Sequence, residues 1–153
     1  MNRLKLNEGG QPVHLDDLET LQDNDKRSMR LLLDALTGGA AAFLLKRPEK
    51  GLWMGDYDEG NGSYTLKGGT LVVDGEFLEW PETRVVTQTA ESPTYLCVRE
   101  TETDSRTFED GQQRNCMVTK EVYATGDPTG AEKSYELDSL PVLADLMKAA
   151  MGA

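Results

Sequence analysis

The residues that could do chemistry are few and lie far apart in the chain. His14 is the only histidine, and no hydrolase, zinc-protease or Cys–His signature surrounds it, so we interpret it as a surface residue. Glycines at 60, 62, 68 and 69 could cradle a phosphate. They lead into a predicted strand, however, whereas phosphate sites use the free N–H groups of a helix N-terminus. The sequence therefore predicts no enzyme and no cofactor.

An acidic loop is the candidate for a metal site. Asp56, Asp58 and Glu59 supply carboxylate oxygens, the ligands that hard cations prefer. An EF-hand counted from Asp56 would need Gly and Glu at the positions that Asn61 and Lys67 occupy. We therefore expect no metal here.

The charge of the chain restricts its partners. A formal net charge of −11 repels nucleic-acid backbones and anionic lipid at long range, so we expect neither as a partner. Two short basic clusters are interpreted as solvated faces, with an anion site as the alternative: Lys26, Arg27 and Arg30, and Lys46, Arg47 and Lys50. The longest apolar run, 40–45, is far below the roughly 20 residues that span a bilayer, and no secretory signal opens the chain. We expect synthesis in the cytoplasm, where Cys97 and Cys116 are small buried side chains, with a disulfide as the alternative.

Residues 15–37 are predicted to form a helix. Asp16 with Glu19 is the expected capping pair, and Gly38-Gly39 is the expected stop. Apolar residues recur at heptad spacing, which indicates either a helix packed on its own domain, in one or two pieces, or a short intermolecular coiled coil. On the second interpretation the helix contributes an interface seam consisting of Leu15, Leu18, Gln22, Met29, Leu32 and Leu36.

The middle of the chain is predicted to form antiparallel strands. The clearest signal is a hairpin around Asp74-Gly75, a pair that suits a two-residue turn with positive φ at both positions. Strands are also expected over 84–88, 93–99 and 116–124, before a helix that Asp138 or Ser139 caps. The fold class is therefore α+β: an N-terminal helix, an antiparallel sheet of hairpins and a C-terminal helix. We divide the chain into 1–39, a helical oligomerisation segment, 40–135, the β domain, and 136–153, the last helix.

A polar stretch at 99–115 is predicted to project from the β domain as a hairpin. Its residues alternate Thr or Ser with charged side chains and run towards Asp110-Gly111, a second turn pair. Ordering such a stretch costs about 1–2 kcal/mol per residue, whereas burial of Phe108 returns only about 1.5–3 kcal/mol. The stretch is therefore a solvated mobile hairpin, a metal or catalytic loop, or a hairpin braced by another chain, in which case Phe108 belongs to the interface.

Three segments carry a resemblance to a known class of proteins. They read KLNEGGQPVHLDDLETLQDND, GGTLVVDGEFLEWPE and RTFEDGQQRN, and together they span about a third of the chain. The chain resembles small structural proteins of tail-fibre or baseplate-attachment type from tailed phages and prophages of gut bacteria. The resemblance implies a non-enzymatic assembly component, often trimeric, which contacts other tail or baseplate proteins in a virion or tail-like particle. The chain has no long repetitive shaft, which favours an adaptor role.

The expected function is self-association of such a structural protein. The alternative is a small cytosolic module that binds a cation or another ligand, such as a sugar, through the acidic loop, Trp53 and Tyr57.

Overall fold

The computed structural model describes residues 3–5, 7–12, 14–56 and 60–152. Its elements confirm the α+β class: a helix, nine strands in three antiparallel sheets, and a second helix, counted over those residues. In chain order they are α1 (Leu15–Thr37), β1 (Ala42–Leu44), β2 (Met54–Asp56), β3 (Asn61–Leu66), β4 (Gly69–Val73), β5 (Glu76–Trp80), β6 (Thr83–Thr87), β7 (Tyr95–Thr107), β8 (Gln113–Thr125), β9 (Lys133–Glu136) and α2 (Leu143–Met151).

Helix α1 runs unbroken from Leu15 to Thr37. The prediction of its cap was wrong: the cap residue is His14, whose backbone N–H donates to the Asp17 carboxylate at 2.9 Å. The helix begins two residues earlier than a cap at Asp16 allows, which leaves that acid in the first turn. The predicted stop is confirmed, because Gly38 is left-handed (φ 70°) and follows the last helical residue.

Three small sheets enclose one apolar core. Their orders are β1-β4-β5, β2-β3-β6 and β8-β7-β9. The turn between β4 and β5 is the predicted two-residue hairpin, since Asp74 and Gly75 both have positive φ. The core draws side chains from every sheet: Leu44, Tyr64, Leu66, Leu71, Val73, Leu78, Trp80, Val85, Leu96 and Val122, together with Leu137 and Leu140.

A second apolar layer lies on the opposite face of β1 and β4. Phe43 and Val72, which are neighbours across the two strands, are 1% and 0% exposed there. Leu33 of α1 covers them, and Leu143 and Leu146 of α2 pack against the same cluster. The end of α1 and the first turn of α2 therefore pack on the sheet of their own chain.

The C-terminal segment differs from its prediction. Neither Asp138 nor Ser139 caps α2: both lie in a short 3-10 helix, and α2 begins only at Leu143. The reason is Pro141, which disfavours helical geometry at the residue before it, and Leu140 is accordingly extended (φ −73°, ψ 130°). The segment is held in place by the Arg47 guanidinium, which donates to the carbonyl oxygens of residues 137 (2.8 Å) and 140 (2.6 Å).

The predicted projecting hairpin is present and is longer than expected. Strand β9 pairs with only the first part of β7, as far as Val98. Beyond that pair β7 and β8 continue alone, and every residue from 99 to 121 is exposed. We call residues 99–121 the arm.

Candidate assembly surfaces

Helix α1 presents apolar side chains that its own domain does not cover. Among the described residues of the helix only Leu33 and Thr37 are buried. Leu15 is 79% exposed, Leu18 47% and Leu32 54%. The other predicted interface residues on the helix are exposed as well (Gln22, and Met29 at 39%) or half-buried (Leu36).

The exposed and covered sides of α1 are adjacent. Successive residues of a helix are separated by about 100°, so the seam at Leu18, Met29 and Leu32 lies beside the buried stripe at Leu33 and not opposite it. One helix therefore packs on its own β-sheet through one stripe and leaves the neighbouring apolar stripe in solvent. The seam remains free to contact a second copy or another protein.

The arm is braced at its base by its own chain. Lys120 of β8 lies between Glu76 of β5 at 3.1 Å and Glu100 of β7 at 3.6 Å. The hydrogen bond to Glu76 raises the pKa of Lys120. These contacts surround a cleft of about 240 Å³ whose apolar floor includes Val98 and Leu78. The root of the arm is thus held against the β4–β5 hairpin without help from another protein.

The middle of the arm carries apolar residues that the predicted stretch did not include. Met117 and Val118 on β8 are 56% and 62% exposed. Cys116, which we predicted to be buried, is exposed beside them, while Cys97 is buried at the root. Cys97 pairs with Tyr123, seven residues from Cys116 along β8, so roughly 23 Å separate the two thiols and exclude a disulfide.

No described strand pairs with the outer edge of β7 along the arm. Beyond Val98 its backbone pairs only with β8. Asp104 interrupts this edge because it adopts positive φ (60°), and no partner faces it although the pairs on either side keep their register. Its carboxylate accepts two hydrogen bonds from the Arg106 guanidinium, at 2.6 and 3.0 Å.

The tip of the arm is a preformed turn. The Asp110-Gly111 pair lies in it as predicted, but only Gly111 has positive φ, so the two-residue turn type was wrong. Gly111 N–H donates to the Phe108 carbonyl at 2.9 Å, which makes a three-residue loop with a left-handed glycine. The Arg114 guanidinium contacts the Asp110 carboxylate at 2.7 Å and lies 4.7 Å from the centre of the Phe108 ring.

A basic groove lies between α1, the β4–β5 turn and the root of the arm. Its volume is about 490 Å³, and its lining consists of Asp23, Lys26, Arg27, Arg30, Asp74, Gly75, Glu76 and Lys120. Gly75 is placed directly under α1, since a β-carbon built on it would lie 3.2 Å from that of Arg30. The sequence predicts a solvated face at the three cations of α1. It contains no signal that the β4–β5 turn packs beside them.

The described residues that were considered for catalysis or ligand binding are not brought together. His14 caps α1, and no group of three metal-ligating side chains occurs in the ranges that the structure describes. Trp53 is half-buried, and its indole N–H donates to the Thr87 hydroxyl at 2.9 Å, so the ring packs within its own sheet. Tyr57, Asp58, Glu59 and the side chain of Asp56 lie outside the described residues. No described helix is long and apolar enough to cross a membrane.

No match to a known protein adds to these observations. No protein-family model, curated protein or solved structure matches the chain.

Proposed function

We propose that the chain is a non-enzymatic structural protein that works by self-association through α1 and the arm. The observation that supports this proposal is the seam of α1, where Leu18 and Leu32 are about half exposed although the helix is anchored at Leu33. Burial of a leucine side chain stabilises an interface by about 1.5–3 kcal/mol when it is complete. A seam of several such residues supplies enough free energy for a specific contact between copies.

The arm supports the same proposal. None of its 23 residues is buried within one chain, yet its root is braced and its tip is preformed. A preformed element loses little conformational entropy when it binds. An exposed hairpin with Met117, Val118 and Phe108 on its surface is therefore suited to contact a neighbouring subunit.

The biological setting that we propose is a phage or prophage tail, with the protein as a fibre- or baseplate-associated adaptor, trimeric in the assembled particle. Three sequence segments that resemble such proteins support this setting. Mass spectrometry of purified tails from an induced host tests it: we expect the chain in the particle at a stoichiometry that is a multiple of three. Absence from purified particles would contradict the setting.

The molar mass in solution tests self-association. We expect light scattering at high micromolar concentration to give a molar mass of at least twice the 16.9 kDa of one chain. The double substitution Leu18→Ala and Leu32→Ala should weaken association at least about tenfold, because it removes apolar contacts. It should leave the free energy of unfolding of the domain, measured in urea, nearly unchanged, since both side chains are already exposed.

Leu31 provides the matched control for this experiment. It is 55% exposed, like Leu32, but lies about 100° further around the helix and off the seam. Leu31→Ala should therefore keep the wild-type molar mass. A strictly monomeric wild-type chain, or equal effects of the two sets of substitutions, would contradict the proposal.

A further inference from the structure

The basic groove contains cations without partners in an acidic protein. Lys26, Arg27 and Arg30 are exposed, and none of them has an ion pair or hydrogen bond within the described part of the chain. Most other described cations do have one: acids lie within 4 Å of Lys50, Lys67, Arg99, Arg106, Arg114, Lys120 and Lys133. Three free cations within two turns of α1 therefore form a local positive patch on a chain of net charge −11.

The acids that line the groove do not neutralise this patch. Glu76 is occupied by Lys120 at 3.1 Å, and Asp74 lies 3.9 Å from Lys133. Asp23 is the remaining acid of the lining. After these internal pairs the groove presents three cations against one carboxylate, and it is open to a negatively charged group.

The arm tip carries a charge of the opposite sign on a preformed turn. Glu109 is exposed and has no partner among the described residues, whereas its neighbour Asp110 is held by Arg114. Phe108 is 42% exposed beside it. The tip therefore offers one free carboxylate and one aromatic ring, in a turn that is already ordered.

The tip cannot reach the groove of its own chain. Lys120 lines the groove, and β8 runs from there to Gln113 at the tip as a strand. At roughly 3.3 Å per residue those seven steps cover about 23 Å, and they lead away from the groove. A contact between the two features requires two copies.

We infer that the arm tip of one copy docks in the basic groove of another, with Glu109 against Lys26, Arg27 and Arg30. This inference rests on the proposed self-association and names the contact that directs it. Each copy offers one tip and one groove, so a reciprocal exchange between two copies, or a closed ring of three, would leave no tip or groove free.

Charge reversal tests the contact in the full-length chain. In sedimentation equilibrium, Lys26→Glu with Arg27→Glu should raise the dissociation constant at least tenfold, and Glu109→Lys should raise it several-fold. The triple variant should recover most of the affinity, because the reversed charges again attract. Lys46→Glu with Lys148→Glu, and Glu91→Lys, change exposed charges away from both features and should have little effect.

A crosslinking experiment gives a readout that does not depend on affinity. In a Cys116→Ser background, chains with Glu109→Cys are mixed with chains with Arg27→Cys and oxidised. We expect a disulfide between the two kinds of chain, and none when Glu91→Cys replaces Glu109→Cys.

The outcomes separate this inference from the proposed function. If the wild-type chain associates but charge reversal acts no more strongly than its controls and no crosslink forms, the groove does not receive the tip, whereas self-association stands. If the wild-type chain is monomeric, both are wrong.

Discussion

At the scale of single residues, close contacts decide which glycines can be replaced. Gly69 pairs with Trp80 across β4 and β5, and the indole covers it while donating to the Lys67 carbonyl at 3.0 Å. A β-carbon at Gly69 would overlap the ring. The glycines at 68 and 69 therefore accommodate a tryptophan, which explains why a phosphate cradle was a poor interpretation of them.

Gly69→Ala should destabilise the domain by about 1–3 kcal/mol, because overpacking forces the indole out of place. Urea unfolding followed by tryptophan fluorescence measures the change. Gly126 is unsuitable as a control because backbone lies close to it, whereas Gly130 has open space around it. Gly130→Ala tests the cost of positive φ (84°) alone and should not alter the native fluorescence spectrum.

The charge of the arm tip depends on pH through Asp110. The Arg114 guanidinium, helped by the Gln112 backbone N–H, holds the pKa of this carboxyl below its ordinary value of 3.8. Because the folded-state pKa is lowered, the contribution of the ion pair to the turn is present above the ordinary pKa and is lost as the pH falls through the lowered one.

We therefore expect the carboxyl carbon of Asp110 to titrate by NMR with a midpoint below 3.8. Arg114→Gln should move that midpoint up towards the ordinary value. Arg106→Gln removes a different arginine, one that pairs with Asp104, and should leave the midpoint unchanged. If Arg114→Gln leaves the titration midpoint of Asp110 unchanged, the ion pair with Arg114 is not the cause of the lowered pKa.

At the scale of elements, the arm and the domain separate at the Val98–Val122 pair. Both residues remain in the sheet, and Val122 is in the core. Replacement of residues 99–121 by Asn-Gly joins that pair through a two-residue turn. We expect a folded domain whose melting temperature changes by only a few degrees, because the removed residues are all exposed, and whose self-association is weaker than that of the wild type. Calorimetry and light scattering measure both properties, and an unfolded product would mean that the arm supports the core.

Elements with strong local patterns could be predicted from sequence, and those made by tertiary contacts could not. The α1 bounds and the Asp74-Gly75 hairpin follow from periodicity and turn chemistry, and both are present. Strand β9 has a polar sequence without alternation, and it forms because β7 offers it an edge. Strand β2 depends on Trp53 lying over Gly55 and its partner in β3.

The candidate surfaces, too, could be predicted from sequence only where a local pattern marks them. Heptad spacing was sufficient to select Leu18 and Leu32, which the structure leaves in solvent. The same spacing did not identify Leu33, the helix residue that packs on Phe43, because Leu33 falls between the heptad positions 32 and 36. The basic groove was missed because it exists only where α1 meets the β4–β5 turn, far away in sequence.

At the scale of the whole molecule, one arginine joins distant parts of the chain. Arg47 follows β1 and donates to two carbonyl oxygens in the segment that leads into α2. That segment also contributes Leu137 and Leu140 to the core. The Arg47 side chain therefore helps to keep the C-terminal segment closed over the sheets.

Arg47→Ala should lower the free energy of unfolding by about 1–2 kcal/mol, because two partly buried carbonyl groups lose a charged donor. Hydrogen exchange should show the largest loss of protection over 137–151. Arg47→Lys keeps the charge but cannot serve both oxygens in the same planar geometry, so its effect should be intermediate. Lys46→Ala, at the exposed neighbour, should change little; equal losses of protection would contradict the role of Arg47.

The left-handed residue in the arm has a consequence for how far assembly can proceed. The unpaired edge of a strand can pair with strands of other chains, and segments of six or seven residues are long enough to form fibrils. Asp104 divides the open margin of β7 into 99–103 and 105–107, neither of which reaches that length. The β7 margin of the arm therefore offers no unbroken template for the addition of further strands, whereas β8, the edge strand of the same sheet, runs without such a break from Gln113 to Thr125.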